Sequence, residues 1–212
     1  MRKLPVYLVL DTSGSMNGEP IEAVKSGVDA LTQALRKDPY ALETAHLSVI
    51  TFDSTARQAV PMSDLGSFNP PVLSAGGSTA LGDALKLLST RIDAEVTKTS
   101  PDVKGDWKPM VFLMTDGGPT DNWRNGLDEF RKRKTGLVVA CAAGPSADTA
   151  CLREITENVV SLDTADSASF GAFFRWVSAS VSQGSQKVEA KGGEVTGLNE
   201  LPPPPPEVNV VT

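Results

Sequence analysis

The chain is short of most residues that ordinary catalysis and disulfide scaffolds use. Its 212 residues hold one histidine, two cysteines and 6% aromatics. A single histidine, His46, excludes any multi-histidine metal centre. It leaves a Ser–His–Asp relay with one candidate base, which opens an apolar strand with no partner signal beside it. Two cysteines, Cys141 and Cys151, make no disulfide framework and have no CxxC neighbour, so a reducing, cytoplasmic setting is expected. Cys141 lies in the run GLVVACAA and reads as a small buried apolar residue.

Positive charge is also scarce. A formal net charge of -6 and a pI near 4.9 disfavour nucleic-acid binding, which needs a basic face against phosphates. Long apolar runs are missing too. The opening MRKLPVYLVLD carries two early positive charges, but its apolar stretch is short and enters an acidic turn, so neither a signal peptide nor a membrane span is expected.

What the chain does have is 40% apolar residues, enough for one sizeable core. Short runs rich in Val, Leu and Ile alternate with segments of helical period, the pattern of a parallel α/β sheet. A strand at 4–10 leads through DTSGSMNGEP to a helix from Pro20, with Ile21, Val24, Val28, Leu31 and Leu35 on one face. HLSVITF and ARQAVPM are separated by three residues and are predicted to pair antiparallel, the second as a sheet edge. A helix carrying Leu81, Ala84, Leu85, Leu88 and Ile92, the strand WKPMVFLMTD, a helix over 122–134, GLVVACAA, a helix near 149–157, NVVSLD and a helix over 167–182 follow.

The predicted fold is a doubly wound α/β domain over residues 1–183: a six-stranded, mainly parallel sheet with one antiparallel edge strand and helices on both faces. From residue 184 the composition shifts toward Gly, Ser, Lys and Glu and ends in ELPPPPPEVNVVT. Residues 184–212 are therefore predicted to form an extended, mobile tail, with the prolines acting as spacer or recognition segment.

The stretch LVLDTSGSM sets Asp11, Ser13 and Ser15 two apart at the end of the first strand. Alone it is open to four readings: a helix-capping turn, a phosphate loop, a catalytic aspartate or part of a metal site. A phosphate loop needs G-x-G-x-x-G or the Walker Gly-Lys-Ser/Thr, and this stretch has neither. A phosphoryl-transfer aspartate needs an acid two residues on, where Ser13 stands. Two other segments share the first one's chemistry. GGST puts Thr79 just before a helix, and MTDGGPTD puts Asp116 just past a strand. Since the carboxyl ends of parallel strands share one edge, Asp11, Ser13, Ser15, Thr79 and Asp116 are predicted to converge there. Two carboxylates and three hydroxyls form a hard oxygen set, suited to Mg²⁺, with Mn²⁺ or Ca²⁺ as variants, and unsuited to zinc.

The ordered triple of D-x-S-x-S, a distant Thr and a distant Asp resembles the metal-ion-dependent adhesion site, MIDAS, of von Willebrand factor A domains, over about residues 4–182. The resemblance implies that Asp11, Ser13, Ser15, Thr79 and Asp116 hold a divalent cation, some through water. It also implies an open coordination position for a partner's carboxylate, in a non-enzymatic interaction module. More narrowly, LPVYLVLDTSGSM and TDGGPTD resemble bacterial TerY-like tellurite-resistance proteins, implying a scaffold or regulatory subunit in a stress response with kinase and phosphatase partners. The cysteine-rich C-terminal module of some relatives has no counterpart here. A competing expectation is an accessory subunit of an ATP-driven metal-inserting or protein-remodelling complex. Asp121 is expected to be a helix N-cap rather than a metal ligand, and Trp123 to be either a partner anchor or a core residue.

Overall fold

The structure, a computed structural model, describes residues 2–211. Its centre is β1, Leu4–Asp11, whose side chains alternate between two cores: Leu4, Val6, Leu8 and Leu10 enter one, Tyr7 and Val9 the other. Because β1 is buried on both faces, it needs an unbroken apolar run, and LPVYLVL supplies it. Parallel neighbours flank it, β2 (Ala45–Phe52) on one side and β4 (Met110–Thr115) on the other. Beyond β4 lie β5, Val138–Ala143, and β6, Val159–Leu162, both parallel. The edge strand β3, Ala56–Asp64, pairs antiparallel with β2 as the hairpin spacing predicts.

The sheet order is β3-β2-β1-β4-β5-β6, with a seventh strand beyond β6. The expected count of six is therefore one short. The seventh strand, β7 (Asn209–Val210), joins β6 antiparallel from within the supposed tail.

Helices α1 (Glu19–Lys37), α2 (Pro39–Thr44) and α6 (Ser167–Lys191) cover one face. On the other lie α3 (Leu81–Glu95), α4 (Trp123–Arg131) and α5 (Thr149–Ile155). Two glycines allow close helix approach. A Cβ at Gly27 would sit 2.1 Å from the Phe174 ring between α1 and α6, and one at Gly126 would sit 2.2 Å from the Gly82 carbonyl between α4 and α3.

Residues past 183 depart from the expected extended, mobile tail. Helix α6 continues to Lys191, and Val188, Val195, Leu201 and Val208 are buried in the core of its face. The Trp176 indole N–H donates to Pro202 O at 2.8 Å, Gln183 donates to Glu200 O, and Lys187 pairs with Glu200. The apolar side chains here are spaced widely among Gly and Pro, so no helical or strand period marks them, yet each has a hydrophobic seat. The five prolines follow an extended path, whose first residue, Pro202, is held to α6 by the Trp176 bond.

Candidate functional site

Chain connections leave β1 toward β2 on one side, while β4 sits on the other, so the strand order reverses between β1 and β4. That is the crevice where open α/β sheets bind ligands. Asp11 ends β1 and Asp116 follows β4 directly, so the two carboxylates flank the reversal point.

The first loop folds back on Asp11, whose Oδ1 accepts from the Ser13 amide at 2.7 Å. A short 3-10 turn, Gly14–Met16, then brings the Ser15 hydroxyl to 3.1 Å from that of Ser13. Ser15 donates in turn to Asp116 Oδ1 at 2.8 Å. Behind these groups, Thr115 donates to Asp11 Oδ2 at 2.5 Å. Asp11 is fully buried, Ser13 and Asp116 nearly so, and Ser15 is exposed. Burial raises the Asp11 carboxyl above its ordinary range, against the hydrogen bonds from Ser13 and Thr115 that favour its charged form. Asp116 adds a smaller push in the same upward direction. A buried acid facing a second acid is a place where positive charge is favourable.

The second loop is laced to the first through main chain, Gly14 N–H to Gly77 O at 3.0 Å and Gly76 N–H to Thr12 O at 2.9 Å. Gly77 takes φ +75°, a conformation open to glycine, and the approach at Gly14 leaves a Cβ only 3.2 Å from Gly77 O. Thr79 is nine-tenths buried and tied to the third loop on both sides. Its amide N–H donates to the Thr120 hydroxyl at 3.0 Å, and its carbonyl accepts from Thr120 N–H at 2.9 Å. Four of the five expected residues are thus joined by side-chain hydrogen bonds in one chain. Thr79 reaches the cluster through its loop's main-chain contacts.

The third loop contains a helix cap, as expected at Asp121, but it serves a different helix from the one it precedes. Asp121 does not cap α4, whose N-cap is Asn122 without a side-chain bond. Its carboxylate instead accepts from Gly82 N–H and Asp83 N–H, both at 3.0 Å, and so caps α3, whose own N-cap position, Ala80, has no side-chain acceptor. The loop carrying Asp116 thereby fixes the helix that follows Thr79. Trp123 is 8% exposed and packs in the second core, which settles its role as a core residue and not an exposed anchor.

Every group at the edge is an oxygen donor. Among the described residues, no three His, Cys, Asp or Glu side chains come together as a metal-holding group, so a cation here would depend on the hydroxyls. The spacing suits one. Adjacent oxygens on an octahedral Mg²⁺ shell lie roughly 2.9 Å apart, close to the 3.1 and 2.8 Å steps from Ser13 to Ser15 to Asp116. Neither thiol competes as a ligand: burial raises Cys141 strongly and pushes Cys151 up to about 12. His46 points Nδ1 at Thr44 O, remote from the cluster in the chain's fold, at the opposite end of β2.

Residues 6–174 match the model of the von Willebrand factor type A domain. The chain belongs to that family. Its relatives among characterised folds are distant. Proximal thread matrix protein 1 from the mussel byssus is 18% identical with a TM-score of 0.63, over 84% of this chain and 48% of that one. A von Willebrand factor type A protein from Catenulispora acidiphila is 17% identical with a TM-score of 0.63, over 86% and 43%. The pilus adhesin SpaC from Lactobacillus rhamnosus GG is 15% identical with a TM-score of 0.65, over 86% and 31%. One structure of the mussel protein, TM-score 0.57 and 19% identical, has a zinc-occupied MIDAS motif over a match of 84% of this chain and 46% of that one. By sequence, an uncharacterized protein of Synechocystis sp. is 34% identical over 55% of this chain, which spans 26% of that protein's length. The von Willebrand A domain thus spans less than half of each of these relatives. No helix among its described residues is long and apolar enough to cross a membrane.

Proposed function

We propose that this von Willebrand A domain is a non-enzymatic interaction module that holds one divalent cation, Mg²⁺ by preference, at Asp11, Ser13, Ser15, Thr79 and Asp116. The observation that carries the reading is the unbroken hydrogen-bonded chain of Ser13, Ser15 and Asp116 oxygens over buried Asp11 at the strand-reversal edge. The zinc-occupied MIDAS of the mussel protein is consistent with it, on a shared fold.

Each residue has a task. Ser13, Ser15 and Asp116 present oxygens toward one point. Asp11, with both oxygens engaged inside the protein, orients the Ser13 amide and lends negative charge from below. Thr79 brings its hydroxyl on a loop pinned by Thr120. When bound, the cation supplies an electrophilic position for a carboxylate. Exposed Ser15 leaves that side of the cluster accessible to an acidic residue of a partner protein.

The LPVYLVLDTSGSM and TDGGPTD segments support a finer reading, a cytoplasmic scaffold of a tellurite-resistance or stress system with kinase and phosphatase partners. Two buried, unpaired cysteines agree with a reducing compartment. Calorimetry with Mg²⁺ and Mn²⁺ tests the cation. Affinity capture in Mg²⁺, in EDTA and with Asp116→Ala, followed by identification of the retained proteins, tests the partners. Saturable one-to-one cation binding lost in Asp116→Ala supports the site. Equal heats in wild type and variant overturn it.

A further inference from the structure

At the other end of the sheet, the amino ends of β1 and β4 open onto a cavity of about 540 Å³. It is separated from Asp11 by the length of β1, roughly 25 Å at the usual rise per residue. Its walls come from the start of the chain, the end of α3, the segment before β4, the residues after α4 and the chain beyond α6. Ile92, Val96, Trp107 and Pro109 supply apolar surface.

The charges are what set this cavity apart in an acidic protein. Six cationic side chains line it, Arg2, Lys98, Lys108, Lys132, Arg133 and Lys134, against three carboxylates. All three carboxylates are already answered within the fold. Arg133 holds Asp93 through two nitrogens, at 3.0 and 2.6 Å, and lowers its carboxyl, with Lys98 adding to the effect. Glu194 pairs with Lys108 at 2.9 Å. Asp106 accepts from the Lys3 and Thr97 amides.

Arg2 and Lys134 are less fully answered: the Arg2 charge also acts on Glu194, but at longer range than an ion pair. Neither makes an ion pair among the described residues. Arg2 lies flat over the Trp107 ring, 3.5 Å from its centroid, and donates Nε to Gly105 O at 2.6 Å. This fixes the plane of the guanidinium while its terminal nitrogens remain for an acceptor. A held guanidinium loses little freedom on binding an anion, which is what a recognition site needs. The cavity volume lies within the range of small-molecule sites.

We propose that this cavity binds a small organic anion: a phosphate or carboxylate received by Arg2 and Lys134, carried on an apolar group that lies along Trp107, Ile92 and Val96. It is independent of the cation site in both chemistry and place. Because Glu194 and its partner Lys108 form one wall, the chain beyond α6 takes part in shaping it.

The test is an NMR titration of the full chain at about 0.15 M salt, following the Trp107 indole resonance. Benzyl phosphate and phenylacetate are the two anionic probes, with benzyl alcohol and inorganic phosphate as partial probes. One-to-one saturation by benzyl phosphate or phenylacetate, tighter than by either partial probe, is expected, and the tighter of the two names the anion. Lys134→Glu, at an exposed residue without an ion-pair partner, should weaken binding about fivefold or more. Lys25→Glu, the same charge change on α1, should not. EDTA should leave the titration unchanged, whatever becomes of the cation site. No saturable shift at Trp107, or equal weakening by the two charge reversals, overturns the proposal.

Discussion

Ser15 donates its hydroxyl to Asp116 Oδ1 across 2.8 Å, joining residues 101 positions apart in the chain. The bond spans the two loops on either side of the strand-order reversal and depends on the Asp11–Ser13 turn that aims Ser15. Removing either end should abolish cation binding more completely than it alters folding, because Ser15 is exposed and Asp116 lies in the loop past β4, neither belonging to the apolar cores. Ser15→Ala and Asp116→Ala are expected to lose the calorimetric Mg²⁺ signal while keeping a cooperative melt. Asp11→Ala should lose both in part, since it also strands the buried Ser13 amide and Thr115 hydroxyl.

Asp121 provides a cap from one loop to another helix. Asp121→Ala leaves Gly82 N–H and Asp83 N–H without their acceptor and should cost about 1 kcal/mol, lowering the melting temperature by roughly 2–4 °C for a chain of this size. Asp121→Asn keeps one carbonyl acceptor and should fall between. An unchanged melt in Asp121→Ala would mean that water serves these amides equally well.

The residues beyond 183 should contribute to stability. A chain ending at Gln183 loses the last part of α6 and buries neither Val188, Val195, Leu201 nor Val208. Each such side chain contributes on the order of 1.5–3 kcal/mol when fully buried, offset in part by the entropy of ordering the segment. A clear fall in melting temperature is expected. Leu201→Ala alone should reproduce a fraction of it, and Trp176→Phe, which removes the bond to Pro202 O, a smaller one.

Acid should loosen the same segment. Lys187 holds the Glu200 carboxyl down at about 2, with the Thr196 amide and hydroxyl assisting, against an ordinary value of 4.5. A carboxyl depressed in the folded state binds its proton more readily once unfolded. Its contribution is therefore complete above pH 4.5 and is lost as pH falls from there toward 2. Urea denaturation of wild type and Glu200→Gln should show a stability difference at pH 6 that shrinks by pH 3. A constant difference would assign the pair no role.

Much of this fold can be read from the chain because both sheet faces are covered, so every central strand needs an apolar run and every helix a stripe. The hairpin showed in the three-residue gap between HLSVITF and ARQAVPM. The cluster was visible through the fixed two-residue spacing of Asp11, Ser13 and Ser15, and through the position of Asp116 at a strand end. Three features were not. Strand β7 is two residues long, too short to carry a period. The prolines before it signalled only an extended path, and nothing local says that Trp176 accepts that path as a neighbour. Asp121 has the spacing of a local cap, and only the approach of α3 to α4 gives its carboxylate a different pair of amides. Its signal was the absence of any capping side chain at Ala80.

The approach of α3 to α4 itself should control the cation site. At Gly126 a methyl group would meet the Gly82 carbonyl oxygen at 2.2 Å and the Gly82 Cα at 2.8 Å. These are backbone atoms, so a methyl fits only if the helices move apart. Such overpacking costs typically about 1–3 kcal/mol. Helix α3 follows Thr79 directly and α4 follows the Asp116 loop, so separating them should also disturb Asp121 at α3 and the Thr79–Thr120 tie. At Gly27, on the opposite face, a methyl would meet the Phe174 ring at 2.1 Å, straining α1 against α6 at a point where the nearest site residue in sequence, Ser15, lies twelve residues upstream, before α1 begins at Glu19. Gly126→Ala and Gly27→Ala should therefore lower the melting temperature by comparable amounts. Gly126→Ala should weaken Mg²⁺ binding beyond what its loss of stability explains, measured by calorimetry well below both melting transitions, while Gly27→Ala should leave the affinity near wild type. Equal affinities in the two variants would show that the three loops hold their geometry without help from the α3–α4 contact.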